Sequence, residues 1–251
     1  NICIGYNAGL KMEQSANRNI LIGSYAGDGQ TVADDMVFIG HQVGTAIATT
    51  DANGAVAIGS YALTGLTSGL GNVAIGYEAG KAVTNNKYTT VLGYQAFMTE
   101  DAGADGNTAI GYQALKVQNN NNAHYNVAVG MQAMSASVQM TNTVAVGTKA
   151  LGTCTDGDYN TVLGNNAMLG GGNKNPSHNV AIGYDAYKNV SLNGDGNNTV
   201  IGDEAGGTLT TGTNNTIIGT GANPHAAGGA NQTVIGKGAT GHADNIVVLG
   251  N

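Results

Sequence analysis

The sequence predicts an all-β chain, a parallel β-solenoid of about fifteen short coils, on three observations. One phrase recurs in register through all 251 residues, as in Asn107-Thr108-Ala109-Ile110-Gly111-Tyr112-Gln113-Ala114 and Asn179-Val180-Ala181-Ile182-Gly183-Tyr184-Asp185-Ala186. Its glycine falls at 5, 23, 40, 59, 76, 93, 111, 130, 147, 164, 183, 202, 219, 236 and 250, in steps of 17 to 19 residues apart from a last step of 14. A fixed period too short for a helix pair means stacked strands. The residues before that glycine favour strands, and no stretch keeps the i, i+3, i+4 spacing of a helix. The 41 Gly do not follow a G-X-Y period, which excludes collagen.

Taking the glycine as position 0, each element follows in order. Position −4 is Asn in nine phrases (Asn1, Asn19, Asn72, Asn107, Asn126, Asn160, Asn179, Asn198, Asn215), which reads as a hydrogen-bonded ladder at a turn. Position −3 is Val, Ile or Thr and position −1 is Ile, Leu or Val in every copy, β-favouring residues on one strand face, expected to point into the coil. The glycine implies a positive φ or a backbone approach that leaves no room for Cβ. Position +3 is Ala in thirteen of fourteen copies. Short alternating stretches, Ala82-Val83 and Thr208-Leu209-Thr210, read as a second strand on the other side of each coil. Connectors such as Gln118-Asn119-Asn120-Asn121-Asn122, Gly170-Gly171-Gly172-Asn173 and Asn193-Gly194-Asp195-Gly196-Asn197 are turn chemistry.

Position −2 lies on the opposite face from −1 and −3, yet it is apolar in all fifteen copies. A strand apolar on both faces is covered on both. One cover is the coil's interior, and the other is expected from another chain. The face assigned to that contact is Leu21, Ala57, Ala74, Val91, Ala109, Ala128, Ala145, Val162, Ala181, Val200, Ile217, Val234 and Val248. Six of the fifteen −2 residues are Ala, as expected for close approach around an axis.

Composition narrows the function. Residues 1–251 read as one repeat domain that opens and closes inside a phrase, hence as a segment of a longer chain. A net charge of −7 with nine scattered basic residues argues against nucleic acid or an anionic membrane surface. No apolar run reaches the roughly 18 residues of a membrane span. Cys3 and Cys154 lie too many coils apart for a disulfide.

The repeated Asn-x-(Val/Thr)-(Ala/Val)-Ile-Gly-x-x-Ala phrase resembles the head repeats of trimeric autotransporter (YadA-like) adhesins. With its Asn/Gly connectors it is similar to the shaft repeats of bacteriophage tail fibres. The resemblance spans the whole chain and implies a left-handed β-roll assembled with two identical chains as an intimate homotrimer. The period here is longer than the adhesin's. It also implies a virion tail fibre or cell-surface location, and a rod that spaces or presents contact with a host surface glycan or outer-membrane receptor. The alternatives within it are a bacterial adhesin head and a fibre-borne polysaccharide depolymerase.

Catalytic chemistry is sparse. His41, His124, His178, His225 and His242 occupy different coils, without metal-ligand spacing. Asp156-x-Asp158, and Glu100-Asp101 with Asp105, are carboxylate groups that can bind a hard cation or act as a hydrolase pair, but acids are also common in solvated turns. No phosphate-binding glycine loop or nucleophile elbow is present. No catalytic residue, metal or cofactor is therefore expected. Tyr6, Tyr77, Tyr94, Tyr112 and Tyr184 at +1 are expected to form an aromatic corner suited to sugar rings, alongside Tyr25 and Tyr61 at +2. An ice-binding face needs outward Thr; the six at −3 (Thr90, Thr108, Thr161, Thr199, Thr216, Thr233) are expected to point inward.

Overall fold

Three residues of every phrase, −3 to −1, form a strand. In the computed structural model, which describes residues 1–29, 32–47, 49–99, 103–117, 123–171 and 174–250, these strands fall into two units, Asn1–Tyr125 and Asn126–Asn251. The first unit holds β1 (Ile2–Ile4), β2 (Ile20–Ile22), β3 (Val37–Ile39), β4 (Val56–Ile58), β5 (Val73–Ile75), β6 (Thr90–Leu92) and β7 (Thr108–Ile110). Each pairs in parallel with the next, phrase position on phrase position, as in Ile2↔Ile20 and Thr90↔Thr108. The second unit holds β8 (Val127–Val129), β9 (Val144–Val146), β10 (Thr161–Leu163), β11 (Asn175–Ser177), β12 (Val180–Ile182), β13 (Asn193–Asp195), β14 (Thr199–Ile201), β15 (Thr216–Ile218), β16 (Thr233–Ile235) and β17 (Val247–Leu249). Its sheet runs β8, β9, β10, β12, β14, β15, β16, β17, again parallel and in register. Each unit is thus a parallel β-solenoid.

The middle residue of each strand faces the coil's own interior. Leu21, Ala57, Ala74, Ala109, Ala128, Ala145, Val162, Ala181, Val200, Ile217 and Val234 are completely buried within a single chain, and Val91 all but completely; Val248, in the last phrase, is half-buried. This corrects the expected facing: these side chains are core and have no surface to offer another chain. The physical reason is width. One row per strand fits inside, and the narrow interior, rather than a symmetry axis, favours Ala where a large side chain shares the coil. The larger residues at −1 and −3 are turned outward. Parity was the missed clue, because −4 shares the −2 face and its Asn residues from Asn19 onward are buried as well.

Volume is matched inside each coil. Two of the largest −2 side chains, Leu21 and Phe38, have glycine at +4, Gly27 and Gly44. A Cβ on Gly27 would stand 3.0 Å from Leu21 Cδ2. Where −2 is Ala, a large buried side chain usually takes +4, as with Leu63, Leu115, Met134, Leu151 and Tyr187. The +3 Ala row is buried alongside it from Ala26 onward. Close packing requires such compensation.

Both causes expected for the phrase glycine hold. Gly59 has φ +124°, and a Cβ there would lie 2.5 Å from the carbonyl oxygen of Gly76 in the next coil. The second strands expected at Ala82-Val83 and Thr208-Leu209-Thr210 are not formed. These are turns that insert Val83 and Leu209 into the core. A two-stranded sheet forms elsewhere, β11 on β13, so that Asn193–Asp195 is a strand where a turn was expected. The connector residues 118–122, 172 and 173 lie outside the described residues.

The −4 ladder forms as expected. Asn198 Oδ1 accepts the backbone N–H of Asn215 at 3.0 Å, and Asn179 and Asn160 repeat the bond one coil earlier each time, at 3.1 and 3.0 Å. Asn198 Nδ2 donates to the Gly212 carbonyl (2.9 Å) and the Tyr187 hydroxyl (3.1 Å), and burial raises the Tyr187 pKa. Asn198→Ala leaves the buried N–H of Asn215 unsatisfied, so it is expected to destabilise the second unit by about 1–3 kcal/mol. Urea unfolding followed by circular dichroism measures this; an unchanged midpoint would remove the ladder from the fold's energetics.

Candidate functional site

Two surfaces and one set of polar residues qualify. The first surface is the outer face of each sheet. Alternation places −1 and −3 of every strand there, and those residues are half-buried to exposed. Leu92 is 44% and Leu163 48% exposed; Val144 and Ile235 are exposed too. No Asp, Glu, Lys or Arg occurs at −1, −2 or −3 in any phrase. At about 4.8 Å per strand, each unit presents roughly 30 Å of apolar strip. The six −3 Thr residues, expected inside, lie on this same outer face.

The second surface is the corner after the glycine. In the first unit Tyr6, Tyr25, His41, Tyr61, Tyr77, Tyr94 and Tyr112 form one continuous aromatic row with centroid steps of 5.2–6.5 Å. From Tyr6 to Tyr77 successive rings meet edge to face at 80–87°; Tyr77, Tyr94 and Tyr112 instead stack at 17°. The structure therefore brings together four of the five +1 tyrosines, with Tyr184 in the other unit. His41 belongs to the row, which the sequence reading missed although His41 also sits at +1.

Beside the stacked rings the +2 side chains form a polar ladder. Gln113 Nε2 donates to Gln95 Oε1 (3.0 Å), Gln95 Nε2 to Glu78 Oε2 (2.8 Å), and Lys81 Nζ to Glu78 Oε1 (2.7 Å). The bonds from Lys81 and then Gln95 hold the Glu78 carboxyl below its usual pKa, and Glu78 raises that of Lys81. The +2 residues Glu78, Gln95 and Gln113 have φ of +52° to +55°, a strained setting for non-glycine residues that the turn imposes.

One acidic position in the connectors proves to be a backbone cap. Asp34, Asp105, Asp158 and Asp244 all sit at −6, and each Oδ1 accepts the −6 N–H of the preceding coil, at Asn17, Lys87, Thr141 and Ala230, over 2.6–2.8 Å. His124 Nδ1 does the same for the N–H of Asp105 at 2.9 Å. Their common offset from the glycine is the signal that would have revealed them. Asp156 lines a recess of about 620 Å³ with Gln139, Thr155 and Lys174, but its expected partner Asp158 is spent on Thr141. Glu100 and Asp101 lie outside the described residues. His178 pairs with Asp195 at 3.1 Å, while Asp156 and the other histidines join no metal-binding group among the described residues. Both cysteines are free; Cys154 is buried, which pushes its thiol up to about 12 and removes it as a nucleophile.

No helix among the described residues is long and apolar enough to cross a membrane. Comparison with family models, with curated proteins and with solved structures finds no match to this chain.

Proposed function

We propose that the chain is a structural, non-catalytic segment of an extracellular fibre, either a phage tail fibre or a bacterial surface adhesin, in which three identical copies pack through the outer faces of their sheets. The left-handed coil and the trimer implied by the resemblance belong to this proposal. The observation that carries it is the uncharged −1/−3 strip, which moves the expected seam from the −2 residues to their neighbours. Burying the part of one such Val or Ile still open in the single chain is worth about 1 kcal/mol, and strips of this kind are uncommon on chains that stay single. The best match to a surface periodic at one strand spacing is the same surface on another copy. The absence of charge lets chains of equal net charge approach.

Sedimentation equilibrium tests this. Wild type is expected as a trimer and the Leu92→Glu/Leu163→Glu variant as a monomer with unchanged far-UV circular dichroism, because both side chains are exposed in the single chain. A monomeric wild type would sink the reading. A second reading gains from the outward −3 threonines, namely a flat Thr/Val/Ile face that binds ice. Thermal hysteresis in a monomeric wild type, lost in the same double variant, would establish it instead.

A further inference from the structure

We infer that Tyr77, Tyr94 and Tyr112, with Gln95 and Gln113 beside them, form a contact strip for a neutral, linear polysaccharide. Edge-to-face neighbours turn alternate edges and faces outward, so the row from Tyr6 to Tyr61 presents no run of parallel faces to a flat ligand. The stacked stretch differs. Its centroids are 5.2 and 5.8 Å apart at 17°, whereas touching aromatic planes lie only about 3.5 Å apart. The rings are therefore offset like roof tiles, by about 4 Å where their planes touch and about 2–3 Å at the coil spacing of about 4.8 Å, and each leaves part of one face uncovered. Tyr77, Tyr94 and Tyr112 are 41–48% exposed accordingly.

An extended chain of pyranose units advances by a comparable step, so a ligand lying along the coils can set the C–H face of one sugar on each tile. Its hydroxyls then meet the amides of Gln95 and Gln113. Those amides are held by their mutual bond and by Glu78, so a ligand loses little in ordering them. Charge selects for neutrality. The nearest cation in the ladder, Lys81, is engaged by Glu78, and the chain's net charge of −7 repels acidic polymers. The strip lies outside the −1/−3 face, so it does not depend on the assembly, although a fibre is a natural carrier for it.

Affinity electrophoresis of the intact chain in gels containing hydroxyethyl cellulose, soluble galactan or glycol chitin, with hyaluronan as the acidic comparison, tests the inference. The absence of Trp makes tyrosine fluorescence a second, direct readout. At least one neutral polymer is expected to retard wild type, with about tenfold weaker binding in Tyr94→Ala. Binding should be retained in Tyr94→Phe and in Tyr184→Ala, and circular dichroism checks each fold. Gln113→Ala supplies an independent loss if Tyr94→Ala misfolds. The inference is overturned if no neutral polymer retards the chain, if only hyaluronan does, or if Tyr94→Ala and Gln113→Ala both bind as wild type. Release of oligosaccharides would count against the non-catalytic reading while leaving the strip in place.

Discussion

Gly59→Ala is expected to cost about 3–5 kcal/mol, while Gly54→Ala, five residues earlier, costs only about 1–2. Both glycines have positive φ, +124° and +75°, so both substitutions strain the backbone, by roughly 1–3 kcal/mol at a rarely populated conformation and about 1–2 in the left-handed region. They differ in what the new methyl meets. At Gly54 there is nothing within 4 Å; at Gly59 the Gly76 carbonyl oxygen stands at 2.5 Å and its carbon at 2.7 Å. Backbone cannot rotate away as a side chain does. Relief requires separating two coils that are tied by Gly76 N–H to the Ile58 carbonyl at 2.8 Å and by Glu78 N–H to the Ser60 carbonyl at 3.0 Å. Overpacking adds a further 1–3 kcal/mol or so. Urea titration with tyrosine fluorescence compares the two variants directly. Equal midpoints would mean that the glycine column answers to φ alone.

Periodicity made the strands, their parallel register and the glycine column legible, because each depends on one residue type at one offset. Facing was not legible from hydrophobicity. Apolar residues occupy −1, −2 and −3 alike, and a pattern without alternation cannot say which side is in. Size and parity carried the answer: the small row, Ala57 through Ala181, shares its face with the Asn ladder, and two rows of one face point to one place. The acids misled for a related reason. Asp105 and Asp158 looked like chemistry when read in sequence, whereas aligned on the glycine they fall at a single position and cap backbone N–H groups. The aromatic corner was legible as a column, but the change from herringbone to tiles at Tyr77 depends on torsions that no spacing encodes.

The face assignment itself is tested by putting one charge on each side of neighbouring strands. Ala145→Asp in β9 places a carboxylate in a core row between Ala128 and Val162, where the native residue is fully buried. An unpaired buried charge costs about 3–5 kcal/mol, a large part of the roughly 5–15 kcal/mol that holds a domain together. The expected result is loss of the second unit's cooperative fold, and assembly fails only as a consequence. Leu163→Glu in β10 reaches water in the single chain, so its effect on folding should stay within about 0.5 kcal/mol while association is lost. Acidity supplies an independent check. Burial raises the pKa of the introduced carboxyl in the folded state above its unfolded value of about 3.9. The charge-dependent part of the Ala145→Asp deficit should therefore vanish below that pH and grow as pH rises above it, leaving the cost of packing a larger polar group in the row; Leu163→Glu should show little such dependence in folding. A folded Ala145→Asp chain that merely fails to associate, beside an unfolded Leu163→Glu chain, would turn the strands inside out and return the seam to the −2 row.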